Sequence, residues 1–196
     1  MVHDEFAETL GVDVEPSQVA ACRERLGDLP GVRFGMTSEL GAEEDGAWNV
    51  VTCMEVLEHC LEPERRRIIG ELGRLCAPGG RVVISVPIET GPSLVGKQFF
   101  RALAGLRRLG DYAHRERYSP IEMARAAAGF TVPRIVFEGH GATGAFKYYG
   151  HKGFEWRDVQ AEIAERLVIE RRTFSPLPWA GATLNSQTWF ICRPRT

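Results

Sequence analysis

The sequence predicts an α/β protein: a mostly parallel sheet with helices on both faces, closed by an antiparallel pair of C-terminal strands. Three observations carry this. Apolar, β-branched runs at Trp48–Cys53 and Arg81–Val86 alternate with segments of helical periodicity. Proline and glycine punctuate the junctions, most sharply at Pro78-Gly79-Gly80. The last two strand-like runs are joined by the turn-rich Ser175-Pro176-Leu177-Pro178 with no helix between them, which suits antiparallel pairing. The length, 196 residues, is that of one domain.

Each element has a local cause. Gly11-Val12-Asp13-Val14 reads as the end of a short strand, and Glu15-Pro16-Ser17 opens a helix with proline at the first helical position, where no amide partner is lost. Val19, Cys22 and Leu26 recur at helical spacing, and Gly27 stops the helix. Val32-Arg33-Phe34 is a brief strand. After an acidic loop, Trp48–Cys53 suits a parallel strand buried on both faces. Ile68, Ile69, Leu72 and Leu75 mark the inner side of a helix from about Pro63 to Cys76; the strand Arg81–Val86 follows and ends at Pro87. Helices near Val95–Leu109 and Pro120–Ala128, set among glycines, suit a lid over the sheet at about 90–154. A last helix near Trp156–Leu167 precedes strands near Val168–Phe174 and Gln187–Cys192.

Composition excludes several classes. With 44% hydrophobic residues the chain can build a core, yet no apolar run nears the roughly 20 residues of a bilayer crossing. The start, Met1-Val2-His3-Asp4-Glu5, is acidic and unlike a signal peptide. Cys22, Cys53, Cys60, Cys76 and Cys192 form no C-x-x-C pair, so buried reduced thiols are expected, with no metal site and a cytoplasmic location. The net charge of −2 conceals an acidic front and a basic remainder, which argues against a nucleic-acid partner for the front.

Three segments carry a resemblance. Trp48-Asn49-Val50-Val51-Thr52-Cys53-Met54-Glu55-Val56-Leu57-Glu58-His59 is similar to the fourth strand of class I S-adenosylmethionine-dependent methyltransferases and the Leu-Glu-His segment after it. Leu75-Cys76-Ala77-Pro78-Gly79-Gly80 and the strand beyond it resemble that family's Pro-Gly-Gly turn and fifth strand, and Gly11–Pro16 its second strand. The resemblance spans residues 11–87 in order and implies a Rossmann-like fold, S-adenosyl-L-methionine as cofactor and a small-molecule methyl acceptor. It places Asp13 on the cofactor ribose, where an acid after a strand can accept both hydroxyls. Val14 would lie beside the adenine. Ser38 stands near a position where relatives have an aspartate on the adenine amino group, and Cys53 and Met54 would floor the methionine half. The ribose role of Asp13 is preferred over a helix cap, whereas an ordinary core thiol is at least as good a reading of Cys53. His59 is a conceivable proton acceptor that more often orders its loop, and no catalytic residue is assigned.

The family's strand, G-x-G-x-G loop and helix should precede Gly11, but the ten residues there contain no glycine. That loop brings backbone amides close to the cofactor. The expectation is a methyltransferase in truncated form, with weak or no cofactor binding. A degenerate homologue or a partner-supplied segment are alternatives, and the rival function is a non-catalytic module or partner-dependent subunit.

Lys97, Arg101, Arg107, Arg108, Arg115 and Arg117 form a basic stretch. Lys97, Arg101 and Arg108 share a helix face opposite Val95, Phe99 and Leu103, which reads as a solvated face. The sharper readings are attraction to an anionic, sugar-derived acceptor or peripheral contact with a membrane. Tyr148, Tyr149, His151 and Lys152 follow in a loop that could face a substrate.

Overall fold

The structure is a computed structural model that describes residues 5–106, 117–142 and 144–195. In chain order it contains β1 (Thr9–Asp13), α1 (Pro16–Leu26), β2 (Val32–Met36), β3 (Trp48–Met54), α2 (Glu62–Leu75), β4 (Cys76–Pro87) and α3 (Pro92–Leu106). Then come α4 (Pro120–Ala127), β5 (Val136–Gly141), β6 (Gly144–Tyr149), α5 (Trp156–Arg166), β7 (Leu167–Ser175) and β8 (Gln187–Pro194). Two compact units divide the chain: Met1–Asp45 with Glu138–Phe146, and Gly46–Phe137 with Lys147–Thr196.

In the first unit β1 and β2 pair in parallel, Leu10 opposite Arg33 and Asp13 opposite Met36. Pro16 begins α1 and Gly27 caps it, its amide donating to the Arg23 carbonyl. Val19 is the helix's buried residue. The hairpin tip between β5 and β6 is tied to this unit through the Ala142 amide, which donates to Glu15 Oε2 at 3.2 Å. The spacing Gly139-His140-Gly141-Ala142-Thr143-Gly144 resembles a dinucleotide loop. It lies in a β-hairpin, however, and such a loop joins a strand to a helix.

The second unit holds the main core. Its sheet runs β3-β4-β8-β7, with β3–β4 parallel and β4–β8 and β8–β7 antiparallel, so the C-terminal antiparallel pair is present. Val82, Ile84, Val86, Phe190 and Cys192 fill the sheet's interior positions, closed over by Leu72, Phe154, Trp156, Val159 and Ile163. Burial of each such side chain contributes about 1.5–3 kcal/mol.

Three expectations are corrected. β3 is not buried on both faces: Val50 and Met54 are exposed, because among the described residues only β4 pairs with it. The Pro78-Gly79-Gly80 turn lies inside β4 as a bulge rather than before it; Trp48 pairs with Cys76 but Val50 with Arg81. On α3 the faces are reversed. Lys97 and Arg101 turn inward to the buried Glu89, at 2.9 and 3.3 Å, while Val95 and Phe99 are exposed. The fully buried Glu89 carboxylate needs those cations, and that demand outweighs amphipathic patterning. Arg107, Arg108 and Arg115 lie outside the described residues, whereas Arg117 is exposed and its carbonyl accepts from Lys152 Nζ at 3.1 Å.

Candidate functional site

In the first unit Asp13 ends β1, and its Oδ1 accepts the Glu15 amide at 2.9 Å; it does not cap α1, whose N-cap is Glu15. Val14, with 62% of its surface exposed, and Ser38, in the short helical turn Thr37–Glu39, are both open to solvent. Cys53 and Met54 belong to the second unit, at the carboxyl end of β3. Cys53 is buried and its thiol is pushed up to about 12 by that burial, so it is a protonated core thiol. Met54 is exposed.

Beyond Met54 the chain turns sharply. Glu55 adopts a φ of 54°, a region unfavourable for residues with a Cβ, and is held there by Ser85. Its amide donates to the Ser85 carbonyl at 3.1 Å and its Oε1 accepts from the Ser85 hydroxyl at 3.2 Å. Burial raises the Glu55 carboxyl above its ordinary value. The turn delivers Leu57, Glu58 and His59 as one helical turn; Leu57 is fully buried and anchors it.

Glu58 is the unusual residue. It is 0% exposed, and neither carboxylate oxygen has a hydrogen-bond partner. Burial pushes its carboxyl up to about 8, with the negative charges of Glu55 and Glu89 adding to the effect. His59 Nε2 lies 3.7 Å from Glu58 Oε1, and His59 Nδ1 lies 2.9 Å from the Tyr149 carbonyl oxygen. His151 meets His59 edge-on with ring centroids 4.7 Å apart, and burial depresses its imidazole to about 4. The polar atoms of Glu58, His59 and His151 all lie within 4.8 Å of one another, a grouping of the kind that can also close on a cation. Arg134 braces the loop, donating to the carbonyls of Glu58 and Gly150 and stacking 3.9 Å over the Tyr149 ring. Sequence reasoning weighed His59 and His151 separately and missed Glu58; the Leu-Glu-His run gave no sign that the middle residue points inward.

A parallel β3–β4 pair with an acidic, imidazole-bearing loop at its carboxyl edge is the arrangement of the ligand-binding edge in Rossmann-like folds. Residues 1–84 match the family described as methyltransferase domain. Over 125 residues the chain is 30% identical to ubiquinone biosynthesis O-methyltransferase of Xanthomonas oryzae pv. oryzae, covering 60% of this chain and 50% of that protein. The chain thus spans about half the length of the curated relatives it matches. A Pyrococcus horikoshii protein superposes with a TM-score of 0.60 at 14% identity, over 99% of this chain and 74% of that one. A glycopeptide N-methyltransferase complexed with S-adenosylmethionine gives 0.52 at 13%, over 96% and 73%. Over residues 1–84 the chain is similar to that methyltransferase domain family, whose cofactor is S-adenosyl-L-methionine, and it shares its fold with the solved structures. No helix among the described residues is long and apolar enough to cross a membrane.

Proposed function

We propose that the chain serves S-adenosylmethionine-dependent methyl transfer to a small, sugar-derived or similarly uncharged molecule. The observation that carries this is the Glu55–His59 turn at the carboxyl edge of β3, inside the stretch that matches the methyltransferase family. The cofactor supplies an activated sulfonium methyl, so the protein's work is to bind and orient. Asp13 is the candidate for the ribose, with Val14 and Ser38 toward the adenine and the backbone of Cys53 and Met54 toward the methionine half. The carboxyls of Glu55 and Glu89 near the turn disfavour the anionic acceptors that the basic stretch suggested. The segment from α3 to β6 is proposed as the cover of the acceptor.

A second reading, a binding module without activity, is supported by the Asp13 carboxylate being engaged by the Glu15 amide. Transfer of labelled methyl from S-adenosylmethionine to a panel of neutral hydroxylated metabolites, at millimolar cofactor, separates the two. Turnover supports the enzyme; cofactor binding without any turnover supports the module; neither binding nor turnover sinks both.

A further inference from the structure

We infer that α3 and the neighbouring loop Pro178–Leu184 form a docking face for an anionic lipid surface, which the chain touches without crossing. α3 is amphipathic the wrong way round for a helix in water. Leu94, Lys97 and Arg101 point inward: Leu94 is fully buried against Ala126 and Val132, and the two cations meet Glu89. By helical geometry the opposite arc holds Pro92, Val95, Gly96, Phe99 and Phe100, all exposed and none charged. Phe99 and Phe100 are 64% and 68% exposed. The loop packs against α3 and raises Trp179, which is 81% exposed. Asn185 braces that loop from inside. It is fully buried, accepts the Leu177 amide and donates to the Leu177 and Gly181 carbonyls, each at 2.6 Å. An aromatic side chain presents about 150–250 Å², so these three rings leave on the order of 400 Å² of apolar surface in water, as much as the largest patches of ordinary monomers.

Charge decides the occupant. No acidic residue occurs from Thr90 to Gly110, and neither an acidic nor a basic one from Thr173 to Cys192. On α4, which packs beside α3, the acid Glu122 is engaged by Lys152 at 2.8 Å, while Arg125 is exposed, as is Arg117 just ahead of the helix. A second copy would bring like charges together with no acid in either segment to meet them. An anionic headgroup layer meets the cations while the rings enter its acyl boundary, as in helices that lie in a membrane surface, where tryptophan is favoured. The sequence suggested such contact through the basic face of α3. The structure commits that face to Glu89 and turns the apolar one outward.

The test floats the full chain with vesicles of phosphatidylcholine and phosphatidylglycerol in equal parts, against vesicles of phosphatidylcholine alone. Binding to the anionic vesicles should be at least about tenfold tighter, and should weaken as salt is raised. Tryptophan emission should shift to the blue on binding, and Trp179→Phe should remove that shift. Phe99→Ser with Phe100→Ser should weaken binding at least about tenfold. Both side chains are exposed, so the double variant should melt as the wild type does. Phe6→Ser, which alters an exposed ring of the first unit, should bind as the wild type does. No flotation, equal binding to both vesicle types, or an equal loss in Phe6→Ser overturns the inference. So does a dimer in light scattering that the double variant abolishes while vesicles leave the chain unbound, which would make the face a contact between copies. No step of the test uses S-adenosylmethionine, so failure of the methyl-transfer reading leaves this inference standing.

Discussion

Glu58 and His151 are neutral for the same reason, removal from water, and they make stability depend on pH in opposite directions. The Glu58 carboxyl rises from 4.5 to about 8 on folding. Its contribution is therefore complete below pH 4.5 and is lost as pH climbs through 8. The His151 imidazole falls from 6.5 to about 4, so its contribution is present above pH 6.5 and is lost as pH drops through 4. Thermal melting across pH 4–9 should show Glu58→Gln losing less stability than the wild type between pH 5 and 8.5. Parallel curves for the two proteins would mean that Glu58 ionises normally in the fold. Cys53 belongs to the same scale. As a buried protonated thiol it should resist alkylation in the native state, which mass spectrometry after brief iodoacetamide treatment would check.

Among the elements, α2 and α5 are joined by one buried ion pair. Arg65 Nε and Nη2 donate to Glu162 Oε2 and Oε1 at 2.6 and 2.5 Å, with both side chains under a tenth exposed. Removing one partner leaves a buried charge, so Arg65→Ala should cost about 3–5 kcal/mol. Replacing both, as Arg65→Met with Glu162→Leu, should recover most of that loss, because the pair's desolvation offsets much of its attraction. Urea unfolding of the three proteins measures both effects; a double variant as unstable as the single one would refute the argument. Inside β4 the bulge at Pro78-Gly79-Gly80 depends on Gly80. A Cβ there would stand 2.7 Å from the Asn49 carbonyl oxygen and 2.9 Å from Cys76 Sγ. Gly80→Ala should therefore destabilise by about 1–3 kcal/mol through strain on the β3–β4 pairing, readable in the same urea titration.

At the scale of the whole molecule, the candidate cofactor residues are divided between two units: Asp13, Val14 and Ser38 in one, Cys53 and Met54 in the other. Among the described residues there is no strand–glycine-loop–helix of the kind that gathers backbone amides around S-adenosylmethionine, and the G-x-G-x-x-G spacing sits in a hairpin. Several hydrogen bonds, those to charged groups worth about 1.5–3 kcal/mol each, are missing from what these residues offer. By itself the chain should bind S-adenosylhomocysteine orders of magnitude more weakly than micromolar. Isothermal titration checks this, and one-to-one micromolar binding would show that another segment supplies those contacts.

Local chemistry alone determined most of the elements. Pro16 and Gly27 bound α1, the Ile68–Leu75 periodicity marked α2, and the β-branched run Arg81–Val86 marked β4, because caps, turns and hydrophobic period act over a few residues. The Leu-Glu-His segment and the Pro-Gly-Gly turn likewise carried the family in the order of the residues. Tertiary structure decided the rest. That β3 is exposed, that α3 turns its lysine and arginine toward Glu89, and that Glu58, His59 and His151 meet all depend on contacts between distant residues. His59 and His151 are far apart in the chain, and Glu58 is silent in the sequence. Its burial follows from where Leu57 is anchored and where Arg134 grips the loop, and no periodicity within residues 55–59 encodes either.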